Sequence, residues 1–487
     1  MAINKYHELL SQLRRIMPPH CVLAEEEEKR PFECDGLSLY KTLPAMVVLP
    51  ENEGQVQAVM RLCKQYRVPL VPRGAGTGLS GGATPHENGV LIGLSKLNCI
   101  VRIDPRACIA VVQAGVRNLA ISEAAAPYGL YYAPDPSSQI ACSIGGNVAE
   151  NAGGVHCIKY GLTLHNVLRV RMVNSDGDIV ELGSEAPDSA GIDLLAAFVG
   201  SEGMLGIATE MTLKLVPKPE LAVVVSASFN TIEDAGKAVA DVVAQGIIPA
   251  GLELMDQKAI HMVEPFVNAG YDMNAQAVLL CESDGTSKDV ADEIERIKTI
   301  FSRAGASQML VSTSEAQRLR LWAGRKNAFP AAGRASPYYY CMDGTIPRRH
   351  LARVLNAIKE METRFGLRCA NVFHAGDGNL HPMILFDANN GDELGRAEDF
   401  GAAILELCVE VGGTITGEHG VGLEKINQMC SQFTRQELDV FDAVKCSFDP
   451  YRLLNPSKLI PTLNRCAEYG RVHVHAGNLR FPELPRF

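Results

Sequence analysis

The chain has no cysteine pair spaced Cys-x-x-Cys, although 14 cysteines are spread through its 487 residues. That excludes a ferredoxin cluster, a zinc ribbon, a haem-attachment site and a redox dithiol. Scattered cysteines in a long, enzyme-like chain read as reduced, small, buried hydrophobes. Positive charge is also in deficit. The 46 Lys and Arg against 56 Asp and Glu leave a formal net charge of −10. Nonspecific binding to nucleic acid or to an anionic membrane is not expected of such a chain. An anionic substrate must be attracted by a local basic site, because the overall field repels it. No stretch approaches the roughly 20 apolar residues that cross a bilayer. The first residues, with Lys5, His7, Glu8, Arg14 and Arg15, form an amphipathic helix and not the apolar core of a signal peptide. A cytoplasmic location follows, with membrane contact only through partners on the inner face of the cell membrane.

Glycine is plentiful and concentrated. Arg73-Gly74-Ala75-Gly76-Thr77-Gly78-Leu79-Ser80-Gly81-Gly82 follows the apolar run Val68–Val71. A loop with so few Cβ atoms can turn its backbone N–H groups onto an anion. Gly76-x-Gly78-x-x-Gly81 formally matches the nicotinamide fingerprint, which requires a helix directly after the glycines. Here Pro85 and Gly89 follow, then the strand Val90–Leu94, so that reading is rejected. A P-loop is excluded because no Gly-Lys-Ser/Thr closes the run. What remains is a glycine-rich loop between two strands that holds a diphosphate by its backbone.

The pattern along the chain alternates strands and helices. Expected strands include Ala45–Leu49, Ala110–Gln113, Leu168–Val173 and Met211–Val216, with a helix from about Glu53 to Tyr66. Pro217-Lys218-Pro219 marks a hinge. The pattern then restarts with a strand Leu221–Phe229, a helix Thr231–Gln245, a strand Ala277–Glu282 and a helix Lys288–Ala304. Four units are expected: 1–41 helical, 42–218 and 219–448 as two domains, and 449–487 as a segment returning to the first domain plus a tail.

Two histidines flank a tight turn in His374-Ala375-Gly376-Asp377-Gly378-Asn379-Leu380-His381. Strand-like flanks make a hairpin that brings both imidazoles to one point. Gly417-Glu418-His419-Gly420 sets a carboxylate beside another histidine. Two His and one carboxylate form a metal set with open positions, and His419 is left over. Alone, His-x6-His is a weak pattern, and a lone histidine is more often structural. A zinc hydrolase built on these three residues is one alternative, and a noncatalytic scaffold is another.

Met46–Pro50, the following helix and Val71–Thr77 together resemble the FAD domain of the vanillyl-alcohol oxidase/p-cresol methylhydroxylase superfamily. The whole chain is similar to its FAD-linked 2-hydroxyacid dehydrogenase branch. The resemblance implies an α+β architecture: a two-part FAD-binding domain of the p-cresol methylhydroxylase type and a ferredoxin-like α+β substrate (cap) domain. It implies FAD contacts from Arg73, Gly74, Ala75, Gly76, Thr77, Gly78, Ser80 and Gly81, and from Pro134, Asp135, Ser137 and Ser138. Further contacts are implied for Gly145, Gly146, Asn147, Ala152, Gly153, Gly154, Tyr160, Gly161, Glu202, Gly206, Ile207 and Asn455. It implies a divalent ion (Zn, Mn or Fe) on His374, His381 and Glu418, His419 as base, and Arg325 of Leu321-Trp322-Ala323-Gly324-Arg325 on the substrate carboxylate. The bland reading of Arg325 is a helix-surface salt bridge.

Relatives acting on larger dicarboxylic hydroxyacids carry a lysine near Cys341, and this chain has no cation there. The implied substrate is thus a small monocarboxylic 2-hydroxy acid, glycolate or D-lactate. Without a cluster or haem motif of its own, the chain is expected to pass electrons to a partner. Glycolate-oxidising members of the branch imply an iron–sulfur subunit and a second FAD-domain-like subunit, with Val472–Arg480 contributing to docking. Many relatives bind FAD covalently through a histidine where this chain has Thr77, which cannot form that bond. Acid precipitation of the yellow protein is expected to release the flavin into the supernatant; flavin retained in the washed pellet would refute noncovalent binding.

Overall fold

A computed structural model describes residues 2–187 and 191–461. The expected docking segment Val472–Arg480 lies outside the described residues. The element that fixes the first sheet is the helix Glu53–Tyr66, whose bounds match the sequence expectation. Asn52 caps it by accepting from the Gln55 N–H at 3.0 Å, and Arg67 ends it in the left-handed region (φ 52°). Val56, Val59, Met60 and Cys63 recur at helical spacing and are buried on one face. The helix connects Met46–Val48 to Leu70–Arg73, and both strands run parallel to Val90–Gly93, which lies between them. Between Arg73 and Val90 there is no helix. The glycine loop itself makes the crossover between two parallel strands, a job usually done by a helix.

A second sheet of five antiparallel strands carries the order Ile100–Asp104, Ile109–Gln113, Ile207–Lys214, Val167–Val173, Ile179–Gly183. One apolar core joins these two sheets to the N-terminal helix Ala2–Ile16 through Leu9 and Leu13. The third sheet has seven antiparallel strands, ordered Gln308–Val311, Leu221–Phe229, Ala277–Gly285, Gly251–Asp256, Arg368–His374, Asn379–Phe386, Tyr338–Cys341. Its two faces are covered by separate clusters of helices. Leu221–Phe229 is bounded as expected, and Thr231 caps its helix by accepting from the Asp234 N–H. The expected strand Ala277–Glu282 runs on to Gly285. Among the described residues twelve cysteines are free, as expected; Cys430 departs from that expectation and is disulfide-bonded.

The two sheet systems are latched by ions. His156 sits between Asp135 (Nδ1 to Oδ2, 2.8 Å) and Glu282 of the seven-stranded sheet (Nε2 to Oε1, 3.2 Å). Glu282 also accepts from Arg318 Nη1 at 2.8 Å and Trp322 Nε1 at 2.5 Å. Asp284 accepts from the Tyr160 hydroxyl at 2.7 Å and pairs with Lys159. Burial alone would lower the His156 pKa, but the two carboxylates outweigh it and raise it to about 10. Burial would raise Glu282, yet its cationic partners hold it near 2.

The His156 contribution to stability is therefore full below about pH 6.5 and is lost as pH rises towards 10. The Glu282 contribution is full above about pH 4.5 and is lost as pH falls towards 2. Glu282→Gln is expected to destabilise the protein by about 3 kcal/mol. In thermal unfolding, the gap to the parent protein is expected to be widest between those two limits and to shrink on either side.

Candidate active site

A cavity of about 410 Å³ runs from the glycine loop to the histidine cluster. Its floor at one end is Arg73 to Gly78, with Gly76 at φ +73°, where a Cβ would strike the Arg73 guanidinium. Ser143, Gly145 and Gly146 at the start of the helix Ile144–Glu150 form the facing wall, and Ser143 Oγ caps that helix. Ser137, Ser138, Asn147, Ala152, Glu202, Gly206 and Ile207 also line it. At the other end stand Arg325, His381, Glu418 and His419, all lining the same space. Several polar atoms around this cavity are buried without a hydrogen-bond partner: Ser201 Oγ, Glu150 Oε2, Nδ1 of His381 and Nδ1 of His419. Natively folded chains leave few such atoms, so the cavity fits an extended polar ligand that would satisfy them.

Other expected cofactor residues do not line this cavity. Pro134 accepts from Asn118 Nδ2 through its carbonyl. Asp135 and Tyr160 belong to the ionic latch, and Gly154 lies so near Asp135 that a Cβ would come within 2.5 Å of its carbonyl carbon. Gly161 turns at φ +78° against His165. A Cβ on Gly153 would come within 2.5 Å of Glu418 Oε2, so that glycine lets the carboxylate in. Ser80 and Gly81 brace the segment after His419: the Ser80 carbonyl accepts from the N–H groups of Leu423 and Glu424, and Gly81 packs on Leu423. Asn455 donates to the carbonyls of Gly82 (3.0 Å) and Glu202 (2.6 Å), which ties the return segment to the loop.

The histidine hairpin forms as expected, from Arg368–His374 and Asn379–Phe386 paired antiparallel with His374 opposite Asn379. His374 Nε2 lies 3.1 Å and His381 Nε2 3.2 Å from the same oxygen, Glu418 Oε1. His381 and His419 stack with centroids 4.9 Å apart. All three expected ligands thus converge, and His419 lies beside them. His374 Nδ1 is held by Glu253 Oε1 at 2.7 Å, the carboxylate–histidine pairing that orients metal ligands. Burial would lower the His374 pKa, but Glu253 and Glu418 raise it to about 10. Burial would raise Glu418; the two histidines hold it well below the usual carboxylate range. Desolvation lowers His419 to about 4, so its imidazole is neutral at pH 7. The convergence of two imidazoles on one carboxylate oxygen fits a divalent cation.

Arg325 is neither free nor on a helix surface. It is 2% exposed, and its Nε donates to Glu253 Oε2 at 2.6 Å. Its Nη2 lies 3.4 Å from the His374 ring nitrogens, and its Nη1 makes no hydrogen bond among the described residues.

Sequence reasoning missed Asp343, which is fully buried. Its Oδ2 accepts from Thr416 Oγ1 (2.5 Å) and from the N–H groups of Gly417 (3.0 Å) and His419 (2.9 Å). The Glu418 N–H is shared between both its oxygens at 3.2 Å, and Asn379 Nδ2 donates to Oδ1 at 3.0 Å. Asp343 groups with His381, Glu418 and His419 closely enough to count as a ligand. Its lone pairs are already taken, however, so it is a positioning residue that shapes the ligand loop. Glu253 was missed too. A carboxylate inside the apolar strand Gly251–Asp256 was the available signal, because buried acids are paired.

An extended glycine-lined cavity ending in a histidine–carboxylate centre fits a flavin-dependent oxidoreductase. The chain belongs to the FAD-linked oxidases: the descriptions "FAD binding domain" and "FAD linked oxidases, C-terminal domain" match residues 44–183 and 218–459. It is 60% identical over 479 residues to the glycolate oxidase subunit GlcD of Escherichia coli, covering 98% of this chain and 96% of that one. It is 39% identical to GlcD of Bacillus subtilis (88% and 91% covered) and 32% identical to a D-lactate dehydrogenase of Anaerostipes hadrus (93% and 97%). The fold matches p-cresol methylhydroxylase at TM-score 0.80 and 17% identity, covering 95% of this chain and 98% of that one.

Asp343→Asn would turn an amide NH2 towards backbone donors. It is expected to cut metal retention about 10- to 100-fold while flavin stays bound. Elemental analysis and the visible spectrum of one preparation check both halves; unchanged metal content would refute the positioning role.

Proposed function

We propose that the protein oxidises a small 2-hydroxy acid, glycolate or D-lactate, to the 2-oxo acid, using noncovalent FAD and a divalent ion. The observation that carries this reading is a single cavity joining the glycine loop to His381, Glu418 and His419. His374, His381 and Glu418 would hold the ion. When bound, FAD supplies the hydride acceptor and the ion supplies charge for the developing alkoxide.

The chain supplies the proton chemistry and the positioning. His419, whose imidazole is neutral at pH 7, takes the hydroxyl proton. Arg325 donates from Nη1 to the substrate carboxylate, while Glu253 fixes the guanidinium from the other side. Asp343 keeps Glu418 and His419 on one short loop, so ligand and base keep their mutual distance. Cys341 is buried with its thiol on the Met342 carbonyl, so the position where a lysine would hold a second carboxylate is itself uncharged. That favours a monocarboxylic substrate. The GlcD relatives are named as subunits, which supports membership of a complex; its other members in this reading are an iron–sulfur subunit and a second FAD-domain-like subunit. Among the described residues no helix is long and apolar enough to cross a membrane, so contact with the inner face of the cell membrane would run through those partners.

Anaerobic glycolate or D-lactate is expected to bleach the flavin band of the purified, metal-loaded protein. His419→Asn is expected to slow that bleaching by about 10²- to 10⁴-fold with the flavin spectrum intact. A colourless protein that also fails to take up FAD would overturn the reading.

A further inference from the structure

Arg325 is charge-compensated by Glu253, and the net charge of −10 repels an anionic substrate before it reaches the centre. The next residue supplies a cation. Lys326 lines the same cavity as His419. It is exposed, unlike its buried neighbour. Lys326 has no hydrogen bond or ion pair among the described residues, whereas Arg318, farther up the same helix, is paired twice over. Beside it on the cavity wall stand Phe329, Pro330 and Tyr339, which offer no competing carboxylate. We propose that Lys326 is a substrate-recruiting residue: it draws the carboxylate of the 2-hydroxy acid into the cavity mouth and hands it to Arg325. This rests on the function proposed above.

Two physical points support the assignment. An uncompensated ammonium on a low-dielectric wall focuses potential into the opening, which raises the local concentration of anions. A compact point charge on a flexible stem also suits capture of an incoming anion, while the planar fork of Arg325 suits a fixed final pose. The ordinary alternative is that Lys326, in the last turn of the helix Glu315–Lys326, only complements the helix dipole. That role would show in thermal stability and not in substrate dependence.

The test compares the parent protein with Lys326→Gln and Lys326→Arg, all carrying FAD and metal, with glycolate and D-lactate over a range of sodium chloride concentrations. Lys326→Gln is expected to raise KM about 5- to 10-fold, with the loss in KM rather than in kcat. It is also expected to flatten the decline of kcat/KM with salt, since steering by an exposed charge is screened within about 8–10 Å. Lys326→Arg is expected to restore both. A Lys326→Gln protein with the parental KM and salt slope overturns the proposal. So does one whose KM change follows weakened FAD binding, which would make Lys326 a cofactor contact. A lowered melting temperature with unchanged KM assigns it to the helix end and overturns it too. Parent flavin that neither acid bleaches overturns the proposed function itself; bleaching that Lys326→Gln leaves equally efficient overturns this proposal alone.

Discussion

The carboxylate of Asp343 collects donors from the Asn379 side chain, the Thr416 hydroxyl and three consecutive backbone N–H groups, all inside the protein. A buried carboxylate is costly unless its lone pairs are filled, and here they are filled by the loop that carries Glu418 and His419. Loop and carboxylate therefore stabilise each other: without Asp343 the N–H groups have no acceptor, and without the loop Asp343 has no solvation. Burial would raise its pKa, but His419, His381 and Lys425 outweigh that and hold it well below the usual range, so it stays an acceptor.

Glu202 repeats the device from the other sheet system. It accepts from the N–H groups of Val421 (2.6 Å) and Gly422 (2.7 Å), immediately after the segment that Asp343 holds. Six of the seven residues from Thr416 to Gly422 are thus held by two carboxylates that lie 141 positions apart in sequence, one from each part of the chain. Glu202 was expected to touch FAD. It does line the cavity, and its carboxylate is spent on bracing the loop. The centre around His419 is assembled between two cores and belongs to neither alone.

How much of this was legible follows from the range of the signal. The helix Glu53–Tyr66, the strand Leu221–Phe229 and the His374–His381 hairpin rest on spacing within a few residues, and they stood where periodicity put them. The glycine loop was readable because backbone freedom is written in the residue type. Asp343, Glu253 and the latch of His156 with Glu282 were not readable. Each is a buried acceptor or charge whose partner is tens to more than a hundred residues away, and neither propensity nor periodicity encodes such pairs. Asp135 and Tyr160 look like cofactor residues in sequence because they neighbour glycine-rich turns. In the structure the Asp135 carboxylate holds His156, and the Tyr160 hydroxyl donates to Asp284 of the seven-stranded sheet.

Asn455 and Lys458 reach back to the carbonyls of Gly82 and Thr84, up to 376 positions earlier. A chain emerging from the ribosome exposes its glycine loop long before these residues exist. Asp35 and Cys34 can brace the loop early, but the contacts from Asn455 and Lys458 must wait until the cap has been synthesised. Folding cannot finish vectorially, domain after domain, because contacts of this range close last. Any nascent or interrupted chain would be held back from chemistry by the order of its own synthesis.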